Sequence, residues 1–391
     1  MRLSRIAVLA LCNFVLLASV SIIFPLLPKL QDAYGLSTSQ IGLVSASSFV
    51  AGLFAQLGLS RYVDRGYARH LLVGAALVSA ASLWWLSFAD VLWQLVAARF
   101  LGGLGFAAFG PAARALAVAE DPDAMGSNLA RLSAGELAGI VVGPVFGALL
   151  YEWFGLAAPF RVLGTVAAVL AVPLLRVDLS RLPTREVGAP VATIGGIIAR
   201  PAVQRAALLQ LALYLPVGTY DVLWGRYLTD LGASSIFVGV SFSAYGIPYV
   251  LMALFGSGLI DRIGPVRAAV GGLIFTLPTV VAYGFFDRPG VMLAISLPEA
   301  LANAIGAPAA MAAMALACRP HEVGTGQGLG GAMGIGAAAV AAITMAPIYD
   351  AAGALAAFGA TAGAMAVIGA LALLLGRRSD PSEVTQALVP G

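Results

Sequence analysis

The sequence predicts an all-α membrane protein of twelve transmembrane helices in two pseudo-symmetric six-helix bundles. Three observations lead there. The 391-residue chain is 60% hydrophobic and only 10% charged, whereas soluble domains are nearer a quarter charged. Apolar runs long enough to cross a ~30 Å hydrocarbon core recur twelve times. The second six runs repeat features of the first at one constant offset of 197 residues.

The runs lie near 6–28, 41–60, 71–89, 92–114, 130–150, 157–175, 206–228, 236–259, 267–286, 291–316, 327–348 and 353–375. The first, behind Arg2 and Arg5, has the outline of a signal peptide. It continues without a small-residue cleavage site to Pro25 and Pro28, and more spans follow, so it reads as the first helix. Basic residues crowd alternate connections: Arg61, Arg65 and Arg69, then Arg114 and Arg131, then Arg176 to Arg205, then Arg262 and Arg267, then Arg319, then Arg377 and Arg378. The opposite set holds Lys29, Arg226 and Arg288, with Arg161 near one end. The positive-inside rule then places both termini in the cytoplasm of a cell-membrane protein.

The longest hydrophilic break, Arg176 to Arg205, divides the spans six and six. It predicts an N-terminal bundle over 1–175, a linker over 176–205 with a short interfacial helix at Ile194–Ile198, a C-terminal bundle over 206–378 and a tail over 379–391. At the offset of 197, Gly35 matches Gly232, Ser37 matches Ser234, Gly42 matches Gly239, and Asp64-Arg65 matches Asp261-Arg262. Parallel six-helix repeats are a transporter architecture, with the substrate site between the halves near the midplane.

The fifth span has the densest pattern. Gly126, Gly135, Gly139, Gly143 and Gly147, with Pro144 and Ala148, leave one helix face without side chains from Gly135 onward, so another backbone can approach closely. This surface is expected to pack across the interface between the halves. Gly326, Gly328 and Gly331 satisfy a GxGxxG pattern, but no strand precedes them and they open a span, so they too read as close packing.

Four ionisable residues lie within spans: Arg99, Glu136, Asp221 and Glu299. Each carboxylate there costs roughly 2.5–3.5 kcal/mol on insertion scales and so marks a functional site. A buried acid that binds a proton on one side and releases it on the other is what a proton-coupled carrier needs. Arg99 stays charged and is suited to biasing such an acid. The bland readings are a permanent pairing of Glu136 with Arg99 or a polar helix neighbour, and an Asp221 near Arg226 at the outer interface. Glu299 has no basic residue in its span, and Asn303, one turn on, shares its face. Phe24, Phe49, Tyr214, Tyr220, Trp224, Tyr245 and Tyr249 are candidate walls for an apolar cavity, with Asn303 as a polar anchor.

These residues resemble the major facilitator superfamily, and within it the twelve-helix drug–proton antiporters. Asp64-Arg65-Gly66-Tyr67-Ala68-Arg69 is similar to the family's first signature, with its glycine one position early, and Asp261-Arg262-Ile263-Gly264 keeps the glycine in register. Arg99-Phe100-Leu101-Gly102-Gly103-Leu104-Gly105 is similar to the arginine–glycine signature, Pro25-Leu26-Leu27-Pro28 to the proline pair ending the first helix, and the fifth span to the antiporter signature, with Ala148 in place of its last glycine. The resemblance implies that Asp64, Arg65, Arg69, Asp261 and Arg262 form a latch governing conformational switching. It also implies that acids in the fifth, seventh and tenth spans couple to protons, although Asn13 stands where many such proteins have a first-helix acid.

The expected function is proton-coupled efflux of small lipophilic, cationic compounds by alternating access, in a monomer exchanging a small molecule for protons across the bilayer. An exporter or importer of one metabolite, such as a sugar, amino acid or siderophore, is the alternative, and a non-transporting receptor or scaffold is a third. No nucleophile–base pair, metal cluster or P-loop is present in the sequence, so neither an enzyme, a cofactor nor ATP drive is expected. The net charge of +3 gives no reason to expect a nucleic-acid partner.

Overall fold

The computed structural model describes residues 5–58, 62, 67–120, 124–177, 194–256, 258–319 and 322–376. Twelve membrane-crossing helices make up these segments: α1 (Arg5–Tyr34), α2 (Thr38–Gly58), α3 (Ala68–Leu86), α4 (Leu92–Glu120), α5 (Met125–Phe154), α6 (Ala157–Leu175), α7 (Pro201–Asp230), α8 (Ser235–Phe255), α9 (Pro265–Ala282), α10 (Pro289–Leu316), then α11 and α12 over 323–352 and 354–376. The last two run together as one helical stretch apart from Gly353, whose φ of 78° breaks them. A single turn of helix at Ile194–Ile198 precedes α7. The bundle has a terminal end, which holds Arg5 and Gly376, and a hairpin end, which holds the α1–α2 and α7–α8 connections.

The repeat has a local physical reason. Gly35 closes α1 in the left-handed region (φ 62°), its amide bonding back to the Gln31 carbonyl, and Gly232 takes φ 83° at the end of α7. Two residues later, the Ser37 and Ser234 hydroxyls each accept a bond at 3.2 Å from the amide three residues on, Gln40 and Phe237. Both halves therefore turn between their first two helices with the same stop and start residues.

α1 runs further than the expected 6–28. Pro25 has no amide hydrogen to continue the ladder, and a 3₁₀ turn at Phe24–Leu26 absorbs the fault, with the Leu26 and Leu27 amides both donating to the Ile23 carbonyl (2.8 and 2.9 Å). The helix resumes to Tyr34, so Lys29, expected in a loop, lies on α1, with its ammonium 5.8 Å from the Tyr151 ring centroid.

Lipid tails give helices no hydrophobic reason to associate, so close backbone approach has to supply packing energy. The glycine face of α5 does this, but against α1 of its own half and not, as expected, across the interface. A methyl group on Gly135, Gly139, Gly143 or Gly147 would strike the backbone or short side chains of Ala10, Phe14, Ala18, Ser21 and Ile22. Gly126, in the exposed first turn of α5, has nothing near it and does not pack. The neighbouring face of α5 meets the other half, where Gly239 of α8 lies on Pro144 and Ala148, and Gly246 on Val141. The matching contact joins α2 to α11 through Gly42 against Ala342 and Ala346. The second helix of each half thus packs on the fifth of the other. At the start of α11, Gly326 meets the Cys318 sulfur, Gly331 meets Gln56 of α2 and Gly334 meets the Tyr214 ring, whereas Gly324, Gly328 and Gly336 meet nothing.

Gly139→Leu should destabilise the protein by about 1–3 kcal/mol through overpacking, read as a lowered thermal midpoint in detergent. Gly126→Leu should leave the midpoint unchanged. Equal effects at the two positions would contradict the packing described.

Candidate functional site

Between the halves lies a cavity of about 310 Å³, walled by α1, α2, α4 and α5 on one side and by α7, α8, α10 and the end of α9 on the other. Phe24, Phe49, Tyr214, Tyr220, Trp224, Tyr245, Tyr249 and Asn303, singled out in the sequence, all line it, as do Arg99 and Asp221. Phe242 and Tyr283 line it too and were missed. Phe242 stacks on Phe24 across the halves with centroids 5.2 Å apart. Tyr220, Trp224, Tyr245 and Tyr283 form an aromatic cluster with centroids 4.9–6.0 Å apart, tilted or edge-to-face. The Trp224 indole donates to the Ser241 hydroxyl at 2.9 Å, which fixes its ring within this cluster.

Arg99 of α4 and Asp221 of α7 meet across the cavity, with Nη2 3.6 Å from Oδ1 and side chains 6% and 3% exposed. Arg99 also donates from Nη1 to the Val20 carbonyl at 3.4 Å. The pair is charge against charge without a close hydrogen bond. Neither Asp221 oxygen accepts one among the described residues, and Arg99 Nε has no partner there. Asp221 therefore does not reach Arg226 at the membrane surface, because its position on α7 turns it inward. The pairing ties one half of the molecule to the other.

Glu299 of α10 is fully buried. Its carboxylate accepts three phenol hydrogen bonds, at Oε1 from Tyr220 (3.0 Å) and Tyr245 (3.1 Å) and at Oε2 from Tyr283 (2.5 Å). The donors come from α7, α8 and the residue ending α9, all in the same half. The carboxylate stands behind these phenols and is not part of the cavity wall, while Asn303 one turn on does face the cavity. The Asn303 amide has no hydrogen-bond partner among the described residues.

Glu136 departs from expectation. It is not held deep beside Arg99 but pairs at 3.6 Å with Arg114 of α4, the two side chains 29% and 60% exposed. It sits one residue before Leu137, which lines the cavity, on the terminal-end side of α5. Asp64 and Arg65 lie outside the described residues. Arg69 donates to the Val177 carbonyl at 3.1 Å, a contact inside one half. Asp261 and Arg262 are exposed on the short helix Leu259–Ile263 and form no ion pair among the described residues.

A polar seal at the hairpin end also escaped sequence reasoning. Arg226 of α7 bonds Asp32 of α1 at 2.6 Å and Asp230 of its own helix, Tyr349 of α11 donates to Asp230 at 2.6 Å, and the Ser39 amide and hydroxyl donate to Asp350 at 3.2 Å. These contacts bridge the halves twice, α1 to α7 and α2 to α11. The acids look like loop charges in sequence, and only the fold brings them together.

A family model for the Major Facilitator Superfamily matches residues 9–220 and 206–391. A protein of Lactococcus lactis subsp. lactis (strain IL1403), named multi-drug resistance efflux pump PmrA homolog, is 27% identical over 291 residues, 70% of each chain. Multidrug resistance protein MdtG of Serratia proteamaculans (strain 568) is 27% identical over 291 residues, 70% of this chain and 69% of that one. Among solved structures, a bacterial homologue of the human lysosomal transporter Spinster superposes with a TM-score of 0.80 at 14% identity, over 95% of this chain and 96% of the other. The nucleoside transporter NupG superposes with a TM-score of 0.79 at 11% identity, over 95% and 99%. At such identities the structures share the fold alone.

Removing one member of the Arg99–Asp221 pair leaves a buried, unanswered charge, which typically costs about 3–5 kcal/mol. Arg99→Met should lower the thermal midpoint sharply, and Arg99→Met with Asp221→Leu should recover most of the loss. A double variant no more stable than the single one would remove the pairing.

Proposed function

The chain belongs to the major facilitator superfamily, and from that premise we propose that this transporter is a proton-coupled exporter of small lipophilic cations in the cytoplasmic membrane. The observation that supports this best is the pair of buried carboxylates beside an aromatic cavity between two halves, Asp221 in its wall and Glu299 behind the phenols that line it. An apolar, aromatic wall recognises a lipophilic body, and ring faces with nearby acids favour positive charge. Relatives named as multidrug efflux pumps are consistent with a cavity of few polar anchors. The same scarcity of polar groups disfavours a sugar.

In this reading both termini are cytoplasmic, a placement supported by the basic residues of alternate connections. The hairpin end is then extracellular, and its seal of Arg226, Asp32, Asp230, Tyr349, Ser39 and Asp350 holds a state closed to the outside. Substrate enters from the terminal end, past the part-exposed Glu136–Arg114 pair. Asp64, Arg65, Arg69, Asp261 and Arg262 serve as the latch for the opposite state. Glu299 and Asp221 alternate between protonated and ionised forms as the halves rock, with Arg99 biasing Asp221. The carrier works as a monomer without cofactor.

In proteoliposomes with an imposed pH gradient, the purified chain should move ethidium, and dissipating the gradient should stop it. Glu299→Gln should reduce gradient-driven flux by about tenfold or more, the scale of a site-to-site coupling, whereas Glu136→Gln should retain it. Absence of any gradient-dependent flux of cationic dyes would sink the antiporter reading. Full flux in Glu299→Gln would leave an antiporter with a different proton carrier.

A further inference from the structure

Exchange of a proton for a cation needs a link between proton site and substrate site, and Glu299 does not touch the cavity. We propose that Tyr220, Tyr245 and Tyr283 are that link, a wall of phenols whose hydrogen-bond polarity toward the cavity is set by the protonation of Glu299. The proposal rests on the proton-coupled reading above and names how it reaches the substrate.

Each phenol has one hydrogen to donate and one oxygen to accept with. All three are within 2.5–3.1 Å of the two Glu299 oxygens, and all three also line the cavity. With Glu299 ionised, it can only accept, so the three phenol hydrogens turn toward it. The cavity then meets phenol oxygens and ring faces, which suit the N–H groups and positive charge of a protonated amine. When Glu299 takes up a proton, its carboxyl becomes a donor, and one phenol now has to accept from it. That phenol's hydrogen is displaced toward the cavity. The wall changes from accepting to donating, and a cation loses its place without any contact with the acid.

The surroundings leave the phenols little else to do. The titratable groups facing Glu299 are Tyr220 on α7, Tyr245 and Tyr249 on α8 and Tyr283 at the end of α9. Asp221, next to Tyr220, is engaged with Arg99, and no basic side chain bonds Glu299 among the described residues. Neither Tyr220 nor Tyr283 has a second hydrogen-bond partner there. Asn303, unpartnered among the described residues and one turn from Glu299, offers the same substrate an amide contact beside the wall. The substrate class is therefore an amphiphile with an aromatic body and a protonated amine.

The test measures ethidium affinity of the full chain in nanodiscs, together with the infrared band of the Glu299 carboxyl, assigned by its loss in Glu299→Gln. Between about pH 6 and about pH 8 the wild type should bind dye about tenfold more tightly at the higher pH, a typical coupling between two sites. Tyr220→Phe with Tyr245→Phe should keep a titrating carboxyl band, yet bind dye within about twofold at the two pH values. Tyr283→Phe alone, the fallback if the double variant does not fold, should weaken the pH dependence in the same direction. Tyrosine variants that keep the full pH dependence overturn the phenol link while leaving proton coupling intact. A pH-independent wild type, or a full dependence surviving in Glu299→Gln, overturns the coupling at Glu299 and the link with it.

Discussion

A charge held inside a membrane has to be answered by groups that the fold brings to it, and this molecule answers the buried acids of α7 and α10 in opposite ways. Asp221 is met by Arg99 from the other half. Glu299 is met by three neutral phenols from its own half. The first solution exists only while the halves are together at that depth. The second travels with the C-terminal half through any relative motion. One acid therefore reports on the separation of the halves, and the other keeps its surroundings throughout.

Both arrangements depend on helices that approach at backbone distance. α5 lies on α1 along its glycine face, and each half sets its second helix on the fifth of the other. The cavity occupies the space left where the large aromatics of α7 and α8 interrupt this close packing. At the hairpin end the ion pairs are part-exposed, so each contributes little alone. Their weight comes from number and from bridging the same two halves that the glycines join. Closure at that end is thus a matter of many small terms, which a modest change elsewhere can offset.

Much of the fold was legible because hydropathy, loop charge and the offset of 197 residues all depend on sequence alone. The aromatic wall was legible for a similar reason. Residues such as Tyr220 and Trp224, or Tyr245 and Tyr249, lie one turn apart and must share a helix face. Partnerships were not legible, because they join residues from different helices. Arg99 was weighed against Glu136 when its partner is Asp221, on a helix of the other half. Tyr283 was passed over because it falls at the very end of the ninth span, close to Asp287 and Arg288, although it makes the shortest bond to Glu299. Glu136 read as a buried acid because its own span is apolar, while its part-exposed partner Arg114 comes from the neighbouring helix α4.

The duplication that shapes the two turns does not extend to the chemistry of the cavity. At the repeat offset, Glu299, Tyr245 and Tyr283 correspond to Gly102, Ser48 and Leu86. The halves are mechanical copies but electrical unequals, with the acids on one side and the arginine on the other. Any motion that parts the halves also moves these charges relative to one another along the membrane normal wherever the rotation has that component. The transmembrane voltage then enters the energy of that motion, and the resting orientation of the two halves becomes a property of the membrane potential as well as of the protein.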